Sequence, residues 1–165
     1  MREKIVLTLA APVLLLIIMS CAHSISREAR DMAVNDIPFQ WIAENPGRYR
    51  GAFVLWGGEI INSQNLGDGA LIEVLQRPLG YSEEPDETKN SSGRFLVLYD
   101  TGILDPAIFR RGVKITVAGI VEGERVLRLG GVVQMGKVSY VYPYIIAREV
   151  HLWENDKLMN QFPYY

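Results

Sequence analysis

The side chains from Ala70 to Gln76 fall on two faces, with Leu71, Glu73 and Leu75 on one and Ile72, Val74 and Gln76 on the other. A period of two predicts a β-strand. Four other stretches rich in aromatic and β-branched residues predict strands over 49–61, 93–99, 113–121 and 139–153. The first is interrupted by Gly51 and by Gly57-Gly58, which suggests a sharp bend of the kind found at a small-barrel corner. Pro143 marks a bulge or an edge in the last. Val126, Leu127 and Leu129 allow a short extra hairpin.

Two helices punctuate this pattern. Asp36-Ile37-Pro38 reads as a capped start with proline in the first turn, placing Phe39, Ile42 and Ala43 toward a core and ending near Asn45-Pro46-Gly47. Asp105, Pro106 and Gly112 predict a short helix over 105–111. Tyr81 to Ser92 holds Glu83, Glu84, Asp86 and Glu87 and reads as a solvated, mobile loop. It lacks the alternating oxygen ligands and turn glycine of a calcium loop. The order is strand, strand, strand, short helix, strand, strand. This predicts an all-β fold, a small OB-like five-stranded barrel with a helix between strands 3 and 4. A sandwich of similar strand count is the alternative.

The amino terminus follows different rules. Met1-Arg2-Glu3-Lys4 precedes the apolar run Ile5 to Met19, then Ser20 and Cys21. A basic start, about 15 apolar residues and a small residue make a secretory signal. Ile18-Met19-Ser20-Cys21 resembles the lipobox of bacterial lipoproteins. That resemblance implies diacylglyceryl on the Cys21 sulfur, cleavage between Ser20 and Cys21, and acylation of the new amino group. An uncleaved anchor is disfavoured, because the run is short of the ~20 residues a spanning helix needs. Cys21 is the only cysteine and cannot form an internal disulfide. The chain then divides into a leader, residues 1–20, a small and polar tether, 21–35, with room for a brief helix, and one β domain, 36–165.

Charge narrows the partners. Removing the leader with Arg2, Glu3 and Lys4 turns 17 basic and 19 acidic residues into 15 and 18, a net charge of −3. Such a domain lacks the basic stripe that nucleic acid requires. The residues after Cys21 are Ala22 and His23, not the aspartate that favours inner-membrane retention in enterobacterial sorting. The expected address is the outer membrane, lipid-anchored, on the periplasmic face, with the cell surface as the alternative.

Candidate chemistry is sparse. The two histidines are His23, in the tether, and His151, at strand spacing from Glu149 and Trp153. Two histidines and a lipidated cysteine are too few for a metal site built on such ligands. No nucleophile motif, phosphate loop or dinucleotide fingerprint is present. Carboxylate pairs such as Glu59 with Glu73 occur on strands, where they usually face water. No catalytic residue, cofactor or metal is expected. Trp56, Phe95, Tyr99, Tyr140 and Tyr142, with Tyr144, lie on predicted strands. They either fill the barrel or form a stacking face for a glycan, a peptide or another small molecule.

Five segments carry a family resemblance. They are Leu55-Trp56-Gly57-Gly58-Glu59-Ile60-Ile61, Glu73-Val74-Leu75-Gln76-Arg77-Pro78-Leu79, and Gly93-Arg94-Phe95-Leu96. Leu104-Asp105-Pro106 with Gly112 to Gly119, and Tyr142-Pro143 with His151-Leu152-Trp153, complete the set. In this order they resemble the Slp family of enterobacterial outer-membrane lipoproteins, known for induction on carbon starvation. The chain departs from the family at Gly130 to Gly136, before the Tyr-Pro strand. The resemblance implies an outer-membrane lipoprotein and no catalytic residue; with the sparse chemistry, the expected role is structural or protective in the envelope, exercised through protein contacts under stress. A periplasmic OB-type binding module is the alternative.

Overall fold

In a computed structural model, residues 24–34, 36–128 and 139–153 are described. Two short helices, α1 (Arg27–Met32) and α2 (Phe39–Glu44), and a 3₁₀ turn (Pro46–Tyr49) precede five strands. These are β1 (Phe53–Asn65), β2 (Ala70–Arg77), β3 (Arg94–Tyr99), β4 (Lys114–Arg128) and β5 (Ser139–Trp153). They close into a barrel in the order β1-β2-β3-β5-β4. Closure excludes the sandwich and gives the OB-like plan. All neighbouring pairs are antiparallel except β3 with β5, a parallel seam of Leu96–Tyr144, Val97–Ile145 and Leu98–Ile146.

β1 makes closure possible because it serves two neighbours. Its first half pairs with β4 from Phe53 to Glu59, and its second half pairs with β2 from Gly57 to Asn65. The two ladders overlap at Gly57, Gly58 and Glu59, so the expected glycine corner falls where β1 passes from one neighbour to the other. A Cβ on Gly58 would run into the Leu75 carbonyl and lie 2.6 Å from Val74 Cγ1. A Cβ on Gly57 would collide with the Leu79 side chain and lie 3.1 Å from Pro85 Cγ. Both positions need glycine for close approach, not for an unusual dihedral. A bulge between Ile60 and Asn62 adds further bend.

The inward faces form one core. β2 alternates strictly, with Ala70, Ile72, Val74 and Gln76 buried. Phe39 and Ile42 of α2 pack into the same cluster. Phe39 meets Trp56 edge-on at 4.8 Å, and Trp56 meets Phe95 edge-on at 5.2 Å. Both geometries are favourable for aromatic rings.

Several boundaries differ from expectation. Tyr49 closes the 3₁₀ segment and residues 50–52 lead into β1, which runs on to Asn65. β4 continues past Val121 to Arg128, so the extra hairpin expected from Val126 is an extension of the β4–β5 pair. Its continuation passes through a register shift at Gly123, whose φ is 129°. The helix expected over 105–111 is a single turn. Asp105 O accepts the Ile108 and Phe109 amides, and Asp105 Oδ1 accepts that of Ala107. The Gly112 amide and the Val113 carbonyl then bond to Ile60, drawing the chain into the sheet before a second helical turn forms. α2 likewise begins after Pro38, with no side-chain cap from Asp36.

Candidate functional site

The outward face of the β1–β4 sheet is covered by the chain itself. Parity places Leu55, Gly57, Thr116 and Ala118 outward, opposite Trp56 and Val117. α1 lies over one end of this face. Ile25 and Ala29, each 2% exposed, form a small cluster with Ala118, Phe53 and Leu55. Ile25 precedes the capping Ser26 and Ala29 lies in the first turn, so the chain entering the helix and the helix itself both present an apolar side chain to the sheet. Ser26 caps the helix by accepting the Ala29 amide, and its amide and hydroxyl both donate to the Glu149 carboxylate. The Val34 amide then bonds the Phe53 carbonyl at 2.8 Å. Residues 24–34 of the segment expected as a tether therefore rest on the barrel.

The rest of the face is covered by the loop between β2 and β3. The acidic stretch expected to be solvated and mobile is folded back here. Leu79 and Pro85 form an isolated bridge, and turns link Gly80 with Glu83 and Glu84. Glu83 is 8% exposed and has φ 67°, the left-handed region that costs a residue with a Cβ of order 1–3 kcal/mol. Three contacts hold it. Ser24 Oγ donates to Glu83 Oε2 at 2.8 Å, Arg30 Nε lies 3.3 Å from Oε1, and Thr116 Oγ1 donates to the Glu83 carbonyl at 2.7 Å. Trp153 Nε1 donates in turn to Thr116 Oγ1 at 2.9 Å. Lys114 pairs with Glu84 and Glu87, its ammonium held above the usual lysine range mainly by the Glu84 bond. Lys89 lies 3.6 Å from Asp86. Two hydrogen bonds from Thr88 hold the Asp86 carboxyl below the usual range.

The five aromatic candidates do not share one surface. Trp56 and Phe95 lie inside the barrel, 7% and 0% exposed. Tyr99 is partly buried at the core margin, tilted against Phe109 at 6.3 Å. Tyr140 and Tyr142 are together on the outer side of β5, ring centres 4.5 Å apart. Tyr142 is buried with Leu96 and Tyr144 in a second cluster. Its hydroxyl donates to Glu73 Oε1 at 2.8 Å, which also receives Arg94 Nη1 at 3.0 Å. Burial first, and the hydrogen bond to Glu73 second, push the Tyr142 phenol up to about 12. Arg125 lies over the Tyr144 ring at 4.2 Å. Burial raises the Tyr144 phenol as well.

The other candidates are occupied by structure. Glu73 serves Arg94 and Tyr142, while Glu59 sits opposite Lys114 in the β1–β4 ladder, so the two carboxylates do not converge. His151 is opposite Thr116 and edge-on to Trp153 at 4.7 Å. A cleft of about 270 Å³ runs between Val34, Phe39, Trp56, Arg77 and Leu79. It falls under the ~300 Å³ at which small-molecule sites begin. His23, Ser20 and Cys21 lie outside the described residues.

The docking of α1 went unread because small polar residues around Ile25 and Ala29 suggested solvated chain. The signal was present in Ile25 and Ala29 on either side of a capping Ser26.

The sequence was compared with known proteins. The Escherichia coli (strain K12) outer membrane protein Slp is 27% identical over 145 residues, covering 87% of this chain and 73% of that protein. No solved structure matches. The profile of the outer membrane lipoprotein Slp family matches residues 18–165, which takes in Ser20-Cys21 and every strand of the barrel. This chain therefore belongs to the outer membrane lipoprotein Slp family.

Proposed function

We propose that this protein is an outer-membrane lipoprotein anchored by acyl chains on Cys21, with its barrel on the periplasmic side as a non-catalytic module. In this reading residues 1–20 are removed as the leader. The barrel serves the envelope through protein contacts under starvation or related stress. The observation that carries the reading is the family match beginning at residue 18, at the lipobox-like Ile18-Met19-Ser20-Cys21. The relative's name places that protein in the outer membrane, and Ala22-His23 after Cys21 agrees with the same address. Multiple acyl chains anchor firmly, since each buried methylene contributes about 0.8 kcal/mol.

The absence of catalysis is supported by how the reactive groups are used. Glu73, Glu83 and Glu149 each hold a structural partner, and the Tyr142 phenol is held neutral at physiological pH. A small-ligand role has two observations in its favour, the cleft beside Trp56 and a shallow one of about 350 Å³ lined by Glu84, Asp86, Glu87, Thr88 and Lys114. The first admits only a small group, and the charges lining the second are already paired with one another or with Lys89.

Labelled palmitate and cell fractionation test the anchor. The wild-type protein takes up label and fractionates with outer membrane. Cys21→Ser protein takes up none and remains a precursor. Equal labelling of both would end the anchor reading. Survival under carbon starvation tests the role, with loss expected in a deletion and in Cys21→Ser cells. Full survival of the Cys21→Ser cells would show that the anchor is dispensable.

A further inference from the structure

We propose that the surface around Ser24, comprising the tip of the β2–β3 loop at Tyr81 and the end of β5 at Trp153, lies against phospholipid headgroups. This rests on the acylated Cys21 of the proposed function and goes beyond it, because it assigns which face of the barrel meets the membrane.

The first support is the length of the leash. Ser24 is three residues after Cys21. Three residues span at most ~11 Å when fully extended. The headgroup layer on each side of the hydrocarbon is itself roughly 5–8 Å thick. Ser24 is not free to drift away from that layer, because it is fixed to the barrel. Its hydroxyl bonds Glu83, Ile25 is 2% exposed, and Ser26 is held twice by Glu149. Whatever surrounds Ser24 is therefore held within about one headgroup layer of the bilayer.

What surrounds it suits an interface. Tyr81 occupies the tip of the turn from Gly80 to Glu83 and is fully exposed. Trp153 shares Thr116 with Glu83, and Glu83 bonds Ser24, so both aromatics are tied through Glu83 to the point where the chain leaves for Cys21. Tyrosine and tryptophan rings suit a headgroup layer; the Tyr81 hydroxyl is free to stay wet there, while the Trp153 indole N–H is already satisfied by Thr116. The acidic run in this loop would repel anionic lipid if it were bare. Instead Glu83 meets Arg30, Glu84 and Glu87 meet Lys114, and Asp86 meets Lys89. The far end of the β4–β5 hairpin provides a contrast. Val126 is ten residues along β4 from Thr116, roughly 33 Å of strand, and exposed.

The test uses full-length acylated protein in phosphatidylethanolamine–phosphatidylglycerol vesicles. Because the Cys21 sulfur is acylated, a new cysteine is the sole reactive thiol. Tyr81→Cys and Val126→Cys proteins each carry an environment-sensitive fluorophore, and a headgroup nitroxide lipid is the quencher. Both sites are exposed, so neither change disturbs packing. Quenching at position 81 at least threefold greater than at 126 is the expected result. A flexible spacer of about 12 residues between His23 and Ser24 is expected to remove that difference while the protein still sediments with vesicles. Protein that sediments but quenches equally at the two positions overturns the face and leaves the anchor standing. Protein that stays in the supernatant overturns both. A difference that survives the spacer overturns the short leash as its cause.

Discussion

Ser24 and Glu83 are 59 residues apart in the chain and joined by a 2.8 Å hydrogen bond. The bond ties the start of the described chain to the one non-glycine residue with positive φ among the described residues. Glu83 tolerates that backbone because side chain and carbonyl are both engaged. The two contributions separate by substitution. Glu83→Ala loses the carboxylate contacts and keeps the strain, so a loss of about 1–3 kcal/mol is expected. Glu83→Gly loses the same contacts but relieves the backbone, and should unfold at higher denaturant than the alanine variant. Denaturant midpoints in the opposite order would show that φ 67° carries no strain.

The close-approach glycines make a graded prediction. Gly58→Ala meets backbone, the Leu75 carbonyl, which cannot rotate away. About 1–3 kcal/mol of overpacking is expected. Gly57→Ala meets the Leu79 side chain, which can move, and should cost less. Gly47 has open space where a Cβ would go and serves as the neutral control. Thermal unfolding of the three variants checks the ranking, and equal midpoints for Gly58→Ala and Gly47→Ala would remove the corner explanation.

Tyr142 links stability to alkaline pH. Its folded pKa is raised to about 12 from 10, mainly by burial. A raised acid loses its proton first in the unfolded chain, so unfolding is favoured as pH rises from 10 toward 12. Stability from neutral Tyr142 is thus complete below pH 10 and lost across that window. Tyr142→Phe should cost about 1 kcal/mol at neutral pH through the lost bond to Glu73. It should also flatten the decline above pH 10. The raised Tyr144 phenol and Lys114 ammonium remain in both proteins, so the difference between the two curves isolates Tyr142. Parallel curves from pH 9 to 12 would refute the assignment.

The α1 dock should open without the barrel. Ser26→Ala removes a cap worth ~1 kcal/mol and one of the two bonds to Glu149. Ile25→Asp places a charge where the residue is 2% exposed. Hydrogen exchange at the Ala29 and Val34 amides should accelerate at least tenfold in each, while the β2 and β3 amides stay protected. Loss of protection across the whole barrel would mean that α1 belongs to the main cooperative unit.

What was legible in the sequence follows from how far each signal reaches. β2 was readable because its period of two needs only its own residues. The Gly57-Gly58 bend was readable because two glycines in a strand have few other uses. The end of β4 was misplaced, since Glu122-Gly123-Glu124 has the composition of a turn, yet Gly123 absorbs a register shift and the ladder resumes. The acidic loop looked solvated because its cations come from elsewhere: Arg30 lies on α1 and Lys114 on β4. Trp56 and Phe95 could not be assigned inward until Phe39 was seen packed against them.

The parallel seam has a consequence for how the protein is made. Leu96–Leu98 of β3 have no barrel neighbour on that side until Tyr144–Ile146 of β5 arrive. In a chain delivered amino terminus first, the partner that seals the cylinder is supplied only once residues 144–146 are available. A chain cut short before β5 therefore keeps that edge of β3 unpaired.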